Sequence, residues 1–103
     1  MKTYPKKRIA IVIEQPALKR VLDALDRLAV TGYTVYPVIA GRGREGSWRA
    51  DDLVSDTGRM VCVVCICDPG KVDQVIEPVY AIVARHVGIV SISDCEVIRT
   101  DHF

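Results

Sequence analysis

Apolar positions along the chain recur with two periods that alternate from segment to segment. Lys7 to Glu14 (KRIAIVIE) is rich in β-branched residues and bounded by Pro5 and Pro16, which predicts a strand. Pro16 suits the first turn of a helix. Leu18, Val21, Leu22, Leu25, Leu28 and Ala29 follow at helical spacing, predicting a helix over about residues 16–30. Lys19, Arg20, Asp23, Asp26 and Arg27 occupy its other side. Gly32 leads into a second strand, Tyr33 to Ile39. Arg59 to Cys67 (RMVCVVCIC) predicts a third strand, and its lack of alternation implies burial on both faces. Asp68-Pro69-Gly70 turns the chain, with Asp68 placed to cap the next helix. Val72, Val75, Ile76, Val79, Ile82 and Val83 then form a second helical stripe running to about Arg85. Pro78 lies inside that stripe, where it removes a backbone bond and is expected to kink the helix. Gly88 to Arg99 predicts the last strand, with a bulge expected at Ser93-Asp94 where the alternation slips. A short tail, Thr100 to Phe103, completes the pattern.

The order β-α-β-(long loop)-β-α-β is the split βαβ, or ferredoxin-like, plan, an α+β class. Two helices can cover one face of a four-stranded sheet. The third strand asks for both faces to be dry, and no further element remains in the chain to cover the second. Another copy of the chain is the simplest cover, so a homo-oligomer is expected, two-fold or three-fold. At 103 residues the chain is read as one domain, 1–103.

Half of the residues are hydrophobic, which predicts a globular protein, and the net charge of +1 argues against a general nucleic-acid binder. No apolar run approaches the roughly 20 residues of a membrane span. The apolar run after the basic start is too short for a signal peptide, so a cytoplasmic protein is expected. The cysteines, Cys62, Cys65, Cys67 and Cys95, suit a reducing compartment. In a strand the odd offset from Cys62 to Cys65 points the two thiols to opposite faces. Cys65 and Cys67 share a face, but no histidine lies nearby in sequence to complete a metal site. Buried thiols acting as small apolar residues are the expectation, with no metal.

Between the second and third strands, Ala40 to Gly58 (AGRGREGSWRADDLVSDTG) is polar and punctuated by glycine. A structureless insertion of that length in a small domain points to function or disorder. Gly41-Arg42-Gly43-Arg44 is a candidate anion cradle, in which glycines let backbone N–H groups turn toward a phosphate and arginines add forked donors. Trp48, an aromatic on an otherwise polar loop, and its neighbour Arg49 are candidates for contact with a protein partner. Asp51, Asp52 and Asp56 read as solvated carboxylates rather than a cation site. No Ser/His/Asp or Cys/His arrangement declares itself, and His86, near a helix end, is expected to cap carbonyls. The first and third strands carry no aromatic on which bases could stack, which sets aside the RNA-binding version of this plan. The chain is expected not to be an enzyme.

The element order, together with Thr31-Gly32-Tyr33-Thr34-Val35, Gly41-Arg42-Gly43-Arg44 and the terminal Glu96-Val97-Ile98-Arg99, resembles the PII signal-transduction family over essentially the whole chain. The resemblance implies a homotrimer of ferredoxin-like subunits, adenine nucleotide in clefts between subunits, and a T-loop (about 40–58) that reports the bound ligand to a partner protein. It places Gly32, Tyr33 and Thr34 on the adenine, with Cys65 lining the same pocket. It places Gly41, Arg42, Gly43 and Arg44 around the phosphates, with Arg59 at the T-loop exit, Gly88 at the head of the last strand and Arg99 reaching phosphate across the subunit boundary.

The departures from the typical pattern are as informative. A glycine- and lysine-rich B-loop is replaced by Ala84-Arg85-His86-Val87-Gly88, the second arginine of the final strand by Asp101, and residues 40–58 hold no tyrosine for modification. Fewer triphosphate contacts imply ADP or AMP rather than ATP. Gly32-Tyr33-Thr34-Val35-Tyr36-Pro37 and Val87-Gly88-Ile89-Val90 look most like the PII-like proteins linked to bicarbonate handling, the carboxysome-associated type above all. That implies bicarbonate as a second ligand, seated by inference near Arg42, Arg44 or Arg59, and a target among bicarbonate transporters or carboxysome-related proteins. The alternative is an ACT-type module, which uses the same plan to bind amino acids but needs no long arginine-bearing loop.

Overall fold

A computed structural model describes residues 1–28, 30–43, 46–49, 58–99, 101 and 103, with backbone only at Ser47 and Trp48. Strand β1 (Tyr4–Glu14) leads through a short 3-10 turn, Gln15–Ala17, into helix α1 (Leu18–Arg27). Strands β2 (Thr34–Val38), β3 (Ala40–Gly43) and β4 (Gly46–Arg49) precede β5 (Met60–Cys67). A second 3-10 turn, Pro69–Lys71, opens helix α2 (Val72–Val83), and β6 (Gly88–Val97) comes last.

Strands β2, β5, β1 and β6 form one antiparallel sheet in that order. This is the predicted α+β ferredoxin-like arrangement, with both outer strands in the positions the split βαβ plan requires. Pro37 sits in β2, an edge strand, where a missing N–H is tolerated.

The helices cover one face. Ile9, Ile11 and Ile13 of β1 and Val61, Val63, Cys65 and Cys67 of β5 are buried against Val21, Ala24 and Leu25 of α1 and Val75, Val79 and Val83 of α2. These are the helical stripe positions of the sequence, now in one core. On β5 the burial alternates strictly, so one chain dries only half of the segment. Met60, Cys62, Val64 and Ile66 are half-buried on the other face, beside Val12 of β1 and the exposed Ile89 of β6. The expectation of two dry faces is therefore not met within a single chain.

Four local expectations are corrected. Strand β1 starts at Tyr4 rather than Lys7, because its pairing with β6 runs back as far as Tyr4 with Val97. The β1–β6 register is unbroken from there to Ile13 with Gly88, so Ser93 and Asp94 form no bulge. Asp68 makes no side-chain cap; its carboxylate turns instead to Lys6. The segment 40–58 is not structureless: β3 and β4 pair as a hairpin from Ala40 with Arg49 to Gly43 with Gly46, and Gly46 has a φ of +103° that favours glycine. Helix α2 runs on through Pro78.

Candidate functional site

Strand β2 begins at Thr34, opposite Val64, and β5 continues three residues beyond that point. Cys65 and Ile66 therefore have β1 on one side and no strand on the other, and a cavity of 480 Å³ opens there. Gly32, Tyr33, Thr34 and Cys65 all line it. Sequence reasoning groups these four from two segments more than thirty positions apart, and the sheet brings them to one place. A Cβ at Gly32 would meet nothing within 4 Å, so packing within the chain does not demand the glycine.

Besides Thr31 and the β5 neighbours Val64 and Ile66, the cavity is lined by Arg8, Tyr36 and Phe103, which sequence reasoning does not single out as site residues. Tyr36 could have been found, since strand alternation puts it on the face of Thr34. Arg8 follows from the β1 register opposite Ile66. Phe103 carries no signal in the local pattern. Aromatic rings, one guanidinium and an open strand edge suit a planar heterocycle: the rings offer stacking surface and the edge offers backbone donors and acceptors.

The remaining predicted residues split between the two ends of the sheet. Arg99 lies beyond the end of β6 that pairs with Tyr4, toward the cavity end, and its guanidinium is 3.9 Å from Asp101. Gly41, Arg42 and Gly43 lie in β3, just past Val38, which pairs with Met60 at the opposite end. Arg59 adjoins Met60, and its carbonyl accepts from the Gln15 N–H at 2.7 Å. Gly88 pairs with Ile13 at that same end. Arg59 and Cys65 are six residue steps apart along the chain, about 20 Å at the rise of a strand. One chain thus holds the residues expected at the adenine and most of those expected at the phosphates at opposite ends of the sheet. Gly41 and Gly43 are extended, so neither turns its N–H groups by a positive φ. Arg44, Asp51, Asp52 and Asp56 lie outside the described residues, as does the side chain of Trp48; Arg49 is exposed at the end of β4.

Gly88 has a reason of its own. A Cβ there would sit 2.7 Å from the Val12 carbonyl oxygen and 3.2 Å from Val83 Cγ1, so close packing alone requires glycine. The neighbouring turn is tied down by side chains. His86 Nδ1 is 2.8 Å from Glu14 Oε1, and His86 Nε2 is 3.4 Å from Arg20 Nη1. Arginine only donates, which makes Nε2 the acceptor and puts the ring proton on Nδ1, facing Glu14. His86 therefore joins β1, α1 and the turn instead of capping helix carbonyls.

The thiols behave as the alternation suggests. Cys65 and Cys67 are buried and all four cysteines are free. Burial pushes the Cys65 thiol up to about 11, with the nearby Cys67 adding to the shift, and burial raises Cys67 as well. Among the described residues no group of three or more His, Cys, Asp or Glu side chains is placed to hold a metal ion, and no helix is long and apolar enough to cross a membrane.

The chain is similar to solved structures of CPII, a nitrogen regulatory PII-like protein from Thiomonas intermedia K12. The form bound to ADP, AMP and bicarbonate is 26% identical, with a TM-score of 0.85 over 95% of this chain and 92% of that one. The form bound to ADP and bicarbonate is 28% identical, with a TM-score of 0.81 over 95% and 93%. The apo form, at 24% identity and a TM-score of 0.73 over 93% and 95%, shares the fold. No curated protein matches the chain. The family described as Nitrogen regulatory protein P-II matches residues 6–102, nearly the whole chain. The ferredoxin-like sheet and this match agree, and the chain belongs to the nitrogen regulatory protein P-II family.

Proposed function

We propose that the protein is a non-enzymatic sensor that binds ADP or AMP together with bicarbonate and reports them through residues 40–58. The observation that carries this reading is the cavity where Gly32, Tyr33, Thr34 and Cys65 meet. It has room for a nucleobase, and relatives of the same fold at 26% and 28% identity are described with ADP and bicarbonate bound.

The division of the site residues between the two ends of the sheet supports binding between subunits. One copy offers the base cavity, and Gly41 to Arg44, Arg59 and Gly88 of a neighbouring copy receive the phosphates. The half-buried apolar face of β5 and β1 is the surface that assembly covers, and the arrangement proposed is a homotrimer. Bicarbonate is assigned to the guanidinium groups at the base of the loop, Arg42, Arg44 or Arg59, whose forked donors match a planar oxyanion. Arg59→Ala is expected to weaken nucleotide binding several-fold through loss of a charge-assisted bond.

Nucleotide and bicarbonate then bias the loop between two shapes, by no more than their preference for one of them. Trp48 and Arg49 present that shape to a protein target, for which a bicarbonate transporter or a carboxysome-related protein is proposed, in the cytoplasm. Regulation of inorganic-carbon uptake or carboxysome function is the corresponding role.

Isothermal calorimetry with ADP, AMP and ATP, each with and without bicarbonate, tests the reading. Nucleotide binding that tightens with bicarbonate is expected, since coupling between two ligands is reciprocal. Nucleotide binding indifferent to bicarbonate would remove the second ligand and the carbon role. Absence of nucleotide binding would overturn the sensor reading and favour the amino-acid-binding module of the same plan.

A further inference from the structure

We propose that Phe103 is a specificity-determining residue of the base cavity, an aromatic wall clamped in place by Lys6, Asp68 and Lys71. The inference rests on the cavity being a nucleotide site, and it names a feature of that site outside the motifs that suggested it.

Phe103 lines the 480 Å³ cavity and also a second cavity of 140 Å³, bounded by Leu28 at the end of α1 and by Val75 of α2. The residue thus stands at the boundary between the two. Its position requires the chain to return from β6, at one edge of the sheet, past β1 to the end of β5. Contacts from three places hold it there. The main-chain oxygen of Phe103 accepts from the Asp68 N–H at 3.3 Å and from Lys71 Nζ at 3.3 Å. The Lys6 ammonium lies 5.8 Å from the ring centroid and donates to Asp68 Oδ1 at 2.5 Å.

Lys6 is only 8% exposed. A cation held that far from water interacts more strongly with the face of an aromatic ring than a solvated one does. The pair with Asp68 makes the burial tolerable, and the same carboxylate residue supplies the backbone donor to Phe103. One clamp therefore fixes both the main chain and the ring.

A fixed ring at the wall of a cavity that Tyr33 and Tyr36 also line favours a flat, extended π-system. Base–aromatic stacking tolerates any base but is strongest for the larger ones, so the wall favours purine over pyrimidine nucleotides. Its contribution does not depend on the number of phosphates, because the base is common to AMP and ADP.

The test is calorimetric titration of AMP, ADP and UMP into the wild type, Phe103→Ala, Phe103→Leu and Phe103→Tyr, with circular dichroism and a urea melt to establish that each is folded. Phe103→Ala is expected to weaken AMP and ADP by the same factor, about tenfold, and UMP by less, so that purine preference narrows. Phe103→Tyr keeps the ring and is expected to stay within about twofold of the wild type, whereas Phe103→Leu, apolar but without the ring, is expected to follow Phe103→Ala and carries the comparison should the alanine variant not fold. Wild-type binding that Phe103→Ala leaves unchanged, an effect confined to ADP, or an equal loss for UMP would overturn this inference while leaving the nucleotide reading intact. A wild type that binds neither AMP nor ADP would overturn both.

Discussion

The Lys6 ammonium lies 2.5 Å from the Asp68 carboxylate, joining the start of β1 to the turn that opens α2 across the row just beyond the last β1–β5 pair, Lys7 with Cys67. Lys6 is the one buried charged residue among the described residues, and Asp68 is the partly exposed member of the pair. The hydrogen bond from Lys6, backed by the positive charges of Lys6 and Lys71, holds the Asp68 carboxyl below its ordinary value of 3.8.

A depressed carboxylate stabilises the fold only while it is ionised. The contribution of Asp68 is therefore complete above the ordinary carboxylate value and is lost as pH falls through the lower value of the folded state. Urea midpoints of the wild type and Asp68→Asn should differ by a constant amount from pH 7 down to about 4 and converge below that. A gap that already closes between pH 7 and 5 would show that another group governs the difference.

Gly88→Ala should destabilise the protein whether or not nucleotide is present. The added methyl would lie 2.7 Å from the Val12 carbonyl oxygen and 3.2 Å from Val83 Cγ1, and neither the β1 backbone nor the core can move away cheaply. Overpacking of this kind costs about 1–3 kcal/mol. A urea melt without ligand checks it. Unchanged stability would mean that β6 can shift away from β1, and the glycine would then need a ligand-based reason.

Much of this architecture is legible in the residues, because the signals are local. The stripes Val21, Leu25 and Val75, Val79, Val83 repeat at helical period, and all five are buried. Gly32, Tyr33, Thr34 and Cys65 are grouped by resemblance to a family and share a cavity. The features that escape depend on contacts between distant positions. Nothing near Lys6 says that Asp68 will face it, and nothing near Phe103 says that it will return to the end of β5. The β3–β4 hairpin is hidden for a different reason: glycine, which recurs through it, is a poor strand former, and here backbone pairing overrides that propensity.

Cys65 and Cys67 should resist thiol reagents in the folded protein. With its thiol pushed up to about 11, Cys65 holds only about one thiolate in a thousand molecules at pH 8, and the thiolate is the reactive form. Cys67 is shifted in the same direction, first by burial. Maleimide labelling at pH 8, read by peptide mass spectrometry, should leave both unmodified until urea unfolds the chain. Rapid labelling of Cys65 in the folded state would show a second, open arrangement of the cavity beside β2.

Val12→Asp should separate assembly from folding. Val12 is half-buried on the sheet face that the helices leave bare, with Cys62 across from it on β5 and Ile89 across from it on β6. In an isolated chain a carboxylate there keeps contact with water, so secondary structure should persist. In the proposed trimer the same carboxylate would be sealed against another copy without a partner, which costs several kcal/mol per site. Sedimentation should therefore show trimers for the wild type and monomers for the variant. Because the cavity beside β2 and Arg59 lie about 20 Å apart along β5, nucleotide affinity should fall with the loss of assembly if the proposed site spans two copies. A wild type that sediments as a monomer would overturn the proposed assembly, and a monomeric variant that binds ADP as tightly as the wild type would show that one chain completes the site alone.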